Sequence, residues 1–88
     1  MKFRKKPLEI EAIQWDGSVG VADKIEAWSR SKARMRRLGA NGLAVIEVNT
    51  REGVMRCRAG DWVIKGIAGE FYPCAPEIFD ATYEEVEI

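Results

Sequence analysis

Residues 60–83, GDWVIKGIAGEFYPCAPEIFDATY, constrain the fold more than any other stretch of the chain. Two bulky β-prone runs, Trp62-Val63-Ile64 and Glu70-Phe71-Tyr72, flank Gly66-Ile67-Ala68-Gly69, whose glycines let the chain reverse. The spacing predicts a compact hairpin. Gly60-Asp61 ahead of it reads as a turn in which the Asp61 carboxylate accepts backbone N–H groups. Pro76-Glu77-Ile78-Phe79 behind it reads as a single helical turn with Pro76 at its first position. In a chain of 88 residues, which buries only about 60% of the surface its unfolded form exposes, such an aromatic hairpin supplies much of the core. Trp62 therefore reads as a core residue.

The preceding residues supply partners for that hairpin. Leu8, Ile10 and Ala12 alternate with Glu9 and Glu11, a period of two that predicts a half-buried strand. At Ile13 and Trp15 the parity shifts, which requires either a bulge near Ala12-Ile13 or burial of both faces. Asp16-Gly17-Ser18 ends the strand, and Ser18 or Gly20 can cap a helix over about 19–31. Val21, Ile25 and Trp28 form its apolar stripe. Leu43–Val48 is the clearest strand, central and covered on both faces. Asn49–Gly53 reads as a hairpin turn, and Val54–Ala59 as the returning strand with Met55, Cys57 and Ala59 inward. Thr82–Val86 reads as a last strand able to pair with the first. The fold class that follows is α+β, a single domain over 1–88: a small twisted antiparallel sheet or open barrel with one packed helix.

Composition excludes several chemistries. There is no histidine, so the usual general base near neutral pH and every Ser–His or Cys–His arrangement are missing. Cys57 and Cys74 cannot close a tetrahedral metal site by themselves, and they read as reduced, small, buried or half-buried residues. No phosphate-binding loop or dinucleotide fingerprint occurs. Adjacent Glu84 and Glu85 point to opposite faces of a strand and cannot act as a catalytic pair. The sequence therefore predicts no enzyme, no metal and no cofactor. No apolar run reaches the roughly 18 residues that cross a bilayer, and Glu9 and Glu11 interrupt any secretory pattern after the basic start. These features predict a cytoplasmic location.

Charge is distributed unevenly. Residues 1–60 carry 13 basic and 7 acidic residues, and residues 61–88 carry 1 and 7. Five of the eight residues at 30–37 are basic, a segment read as the helix end running into a loop or short strand. Arg34, Arg36 and Arg37, together with Arg56 and Arg58, can form a stripe that neutralises phosphates. Lys65 is the lone base of the acidic part, and an ion pair is its expected role.

The segments Arg4-Lys5-Lys6-Pro7, Ile10–Trp15, Gly60–Gly66 and Gly69–Cys74, with Phe79, resemble short proteins encoded by tailed bacteriophages and prophages. The likeness covers roughly residues 3–16 and 60–83. It implies a phage origin and action in the cytoplasm of a bacterial host, and it implies no catalytic residues. With no catalytic kit, the expected function is that of a small non-enzymatic accessory protein binding a host protein. Lys65, Glu70, Phe71 and Tyr72 at the hairpin tip are the expected contacts, since prolines stiffen the following segment and tyrosine is a frequent anchor. The competing expectation is a binder of nucleic acid or a small nucleotide through the arginines and exposed aromatics. Nothing in the sequence decides for or against self-association.

Overall fold

The structure, a computed structural model, describes residues 1–4 and 6–86. Six strands and two helices follow one another as β1 (Glu11–Gln14), α1 (Val19–Trp28), β2 (Ala33–Leu38), β3 (Leu43–Thr50), β4 (Gly53–Cys57), β5 (Trp62–Lys65), β6 (Phe71–Cys74) and α2 (Pro76–Thr82). They make an α+β fold with two open three-stranded antiparallel sheets, ordered β1-β5-β6 and β2-β3-β4. β6 passes close to β3 and β4, and α1 packs beside β2.

The core lies between the sheets and α1. Ile46, Val48 and Cys57 from one sheet meet Val63 and Phe71 from the other, with Ala22 and Ile25 of α1 and Trp15 closing the cluster. Val45 and Ile46 are both buried although they are adjacent on β3. Adjacent strand residues face opposite ways, so the centre of β3 is covered on both faces, as its apolar run predicts.

Local chemistry explains most boundaries. Ser18 Oγ accepts the Val21 N–H at 3.1 Å and caps α1. The helix ends at Trp28, three residues before the expected end, because Arg30 and Ser31 both turn left-handed, with φ of 53° and 67°. The Ser31 N–H then bonds back to the Glu26 carbonyl at 2.8 Å, satisfying a terminal carbonyl. Buried Ser29 accepts the Ala33 N–H at 3.0 Å and so starts β2. Asp61 does what its turn position predicts: its carboxylate accepts the Arg58 N–H at 2.9 Å, while its own N–H donates to the Arg58 carbonyl.

Some expectations need correction. The first strand does not run from Leu8 to Trp15 but over Glu11–Gln14. It pairs with β5 in unbroken register from Glu11↔Lys65 to Gln14↔Trp62, so no bulge lies between Ala12 and Ile13. Both are half-buried, and coverage of both faces accounts for the parity shift. Of the two readings of the basic segment, loop or short strand, the strand holds: β2 has Ala33 and Met35 toward the core and Arg34 and Arg36 away from it. No strand forms over Thr82–Val86. α2 runs through Thr82 instead, and Tyr83 donates its N–H to the Phe79 carbonyl while its ring lies tilted against the Phe79 ring, centroids 5.0 Å apart. That i, i+4 contact favours helix over strand there. Met55 shares the face of Val48 and Cys57 but remains 44% exposed.

Candidate functional site

The sequence placed a contact surface at the hairpin tip, and the fold buries one of its four members, Phe71, and leaves Lys65, Glu70 and Tyr72 partly exposed. Phe71 is only 5% exposed and belongs to the core. Its ring meets Trp28 edge-on, with centroids 5.1 Å apart at 81°. It therefore has no free face for a partner, a correction that follows from β6 packing across β3 and β4. Glu70 is held within the turn: its carboxylate accepts the Ala68 N–H at 3.2 Å and lies 3.9 Å from Arg51. A Cβ at Gly66 would land on that carboxylate, so glycine is required at 66 for Glu70 to fold back. Lys65 forms its expected ion pair, with Glu11 at 3.9 Å. Tyr72 lies on the other face of the sheet from Lys65 and Phe71, since it pairs with Ile64. Burial, then a hydrogen bond to Tyr83, pushes its phenol up to about 12.

The arginines are sorted by register. Arg34 and Arg56 both flank Glu47, and Arg36, opposite Val45, is two residue pairs along. These three share the face of the β2-β3-β4 sheet away from the core. Arg34 lies 3.6 Å from Glu26 and Arg36 lies 3.4 Å from Glu47. Arg37 points the other way and donates to the Gly42 carbonyl at 3.2 Å. Arg58 follows the end of β4, with its N–H engaged by Asp61. A cleft of about 320 Å³ lies beside Arg34, Arg36 and Glu47 on this face.

The sequence reading missed a groove of about 830 Å³ between the β1 side and the chain after α2. Trp28, Trp62, Phe79 and Tyr83 line it. Trp62 stacks flat on Phe79, with centroids 4.0 Å apart and planes 7° off parallel. The indole N–H of Trp62 is buried and has no acceptor among the described residues, an arrangement that costs about 1–3 kcal/mol if left so. Carboxylates stand on both banks, Glu9 and Glu11 on one and Glu84 and Glu85 on the other, and all four residues are exposed. Apolar Leu8 and Val86 are more than half exposed beside them. The signal for this site was the spacing of Trp62, Phe79 and Tyr83 on two separate elements, but Trp28 joins them only through the tertiary fold.

The cysteines offer little chemistry. Cys57 is fully buried and its thiol is pushed up to about 12, first by burial and then by the Asp61 charge. Cys74, half-buried, is also raised, chiefly by burial. Both are free thiols. Among the described residues no group of three His, Cys, Asp or Glu side chains is placed to hold a metal ion, and no helix is long and apolar enough to cross a membrane. Compared with models of known families, with curated proteins and with solved structures, the chain matches none.

Proposed function

We propose that this protein is a non-enzymatic binding module that takes another protein in the aromatic groove. One observation carries the reading: three aromatic rings from β5, α2 and the chain after it make successive contacts along a groove, Trp62 stacked on Phe79 and Phe79 tilted against Tyr83, with a fourth, Trp28, on the same groove. Clustered aromatic side chains in a partly desolvated depression are the usual energetic centre of a protein interface. The four surrounding carboxylates oppose phosphate, which favours a polypeptide over nucleic acid at this groove. The resemblance to phage-encoded proteins makes a bacterial host protein in the cytoplasm the expected partner.

The test compares capture from bacterial lysate by the wild type with capture by Tyr83→Ala and by Leu8→Ser. Both variants sit at the groove and leave the main core untouched. A specific protein lost in both variants, with melting curves kept within a few degrees, supports the reading. Undiminished capture by both variants ends it.

A second reading rests on the register that puts Arg34, Arg36 and Arg56 on one face of the sheet, with the Arg34 and Arg36 side chains largely exposed. That face can bind phosphates of a nucleic acid or nucleotide. Binding of single-stranded DNA that weakens steeply with salt, with a slope flattened by changing all three arginines to alanine, would establish it. Absence of binding at low salt would remove it.

A further inference from the structure

Resting on the groove reading, we infer that the occupant is an extended, lysine- or arginine-bearing segment that adds as a fourth strand to the free edge of β1. Among the described residues β1 is the end strand of its sheet and pairs with β5 alone. The Trp15 N–H bonds to the Asp61 carbonyl at 3.0 Å. Antiparallel pairs alternate between bonded and non-bonded, so Ile13 and Glu11 also direct their backbone groups at β5. The N–H and C=O groups of Ala12 and Gln14 consequently point outward, along the edge where the groove runs. Such an edge is a ready template for another strand.

The groove is shaped for a ribbon. Ile13 shares a face with Val63 and Phe71, where Trp28 packs. Ala12 shares the opposite face with Ile64, and Trp62 lies on that same face beneath Phe79. Trp28 and Trp62 therefore line the groove from opposite faces of one sheet. Side chains of an added strand alternate between those faces, so each would meet an aromatic surface. The chain after α2 forms the far bank without pairing to β1, since residues 83–86 carry no strand. Glu9, Glu11, Glu84 and Glu85 put carboxylates on both banks. Lys65 offsets only Glu11, at 3.9 Å. Complementarity then selects cations on the incoming strand, which aromatic faces also attract.

The probe is a short peptide of alternating valine and lysine, compared with its glutamate counterpart and with a version N-methylated on alternate residues to block one backbone edge. The lysine peptide should bind more weakly as salt rises and slow amide exchange at Ala12 by about tenfold or more. The glutamate and N-methylated peptides should not bind. Glu84→Gln with Glu85→Gln should weaken the lysine peptide by about three- to tenfold. Ala12→Pro, which removes one outward N–H on an edge strand, should abolish binding; the N-methylated peptide makes the same cut on the ligand should that variant unfold. Equal binding of the N-methylated or glutamate peptide, or unchanged exchange at Ala12, overturns the inference. So does a dimer in sedimentation whose contact buries the groove, since the occupant is then a second copy. If all peptides fail while Tyr83→Ala and Leu8→Ser still lose their captured protein, strand addition falls and the groove reading stands. If those variants capture as wild type does, both fall.

Discussion

The two sheets have the same number of strands and opposite characters. The β2-β3-β4 sheet has strands of up to eight residues, and its arginines are interleaved with Glu47 and Glu26 at ion-pair distance. Arg34 and Arg36 are each held by a carboxylate, and Arg37 by the Gly42 carbonyl. The β1-β5-β6 sheet has strands of four residues each, an open edge, and aromatics bordered by carboxylates of which only Glu11 has a described ion pair. The long sheet satisfies itself, and the short one leaves aromatic surface and backbone edge for something else. In a domain this small the first makes the second affordable: a recognition surface has to be exposed, so the core must be held elsewhere.

The sharpest way to break that contrast is Trp15→Ala. Trp15 is 1% exposed. It follows β1, belongs to the shared core, and donates its indole N–H to the Ser18 carbonyl at 2.9 Å. Its removal should cost about 3–5 kcal/mol, enough to unfold a marginal domain. If the sheets are one cooperative unit, amide protection should vanish together in β3 and β5. Protection surviving in β3 alone would show that the long sheet stands independently.

Trp28→Ala is the milder cut, because Trp28 is half-buried and makes one edge contact with Phe71. About 2 kcal/mol is expected, with the melt still cooperative. A loss as large as that of Trp15 would mean that the groove wall carries the core, and the division between the sheets would fail.

Which of these features the sequence shows follows from how far apart their causes lie. The cap at Ser18, the turn at Asp61 and the run Leu43–Val48 are written in neighbouring residues, and all appear where expected. β2 carried a period of two in Ala33-Arg34-Met35-Arg36, but Arg37 stands where an apolar residue was due and hid it. The helix end depends on left-handed Arg30 and Ser31, which no glycine announces. Phe71 looks exposed beside a turn and is buried because β6 crosses β3 and β4, a contact between distant segments. The groove draws its lining from Trp28 and Tyr83, 55 positions apart, so no local pattern contains it.

The cysteines, one in each sheet, sharpen the comparison through pH. An unfolded Cys57 thiol loses its proton near its ordinary value of 9.0, whereas the folded one keeps it until about 12. Between those values the unfolded state binds fewer protons, so stability is full below pH 9 and falls as pH rises, by about 1.4 kcal/mol per pH unit. Melting temperature measured between pH 9 and 10 should drop in the wild type and stay flatter in Cys57→Ala. An iodoacetamide time course over the same range should modify Cys74, which is half-buried, well before Cys57. Equal reactivity would show that the long sheet opens as readily as the short one.

The smallest effect on stability is the most discriminating about function. Glu47 sits between Arg34 and Arg56 in register and 3.4 Å from Arg36, whose side chain is 66% exposed. An exposed pair of that kind contributes about 0.5 kcal/mol and weakens with salt, so Glu47→Gln should barely move the melting curve. Its electrostatic consequence is larger, because it removes the carboxylate at the centre of three arginines. If that acid keeps the long sheet silent toward phosphate, the variant should bind single-stranded DNA at low salt where the wild type does not, with a salt slope that reports the freed cations. If the wild type already binds and Glu47→Gln changes nothing, the arginine face is itself a working surface. The contrast between a self-satisfied sheet and a receptive one would then have to be redrawn as two receptive sheets of opposite charge.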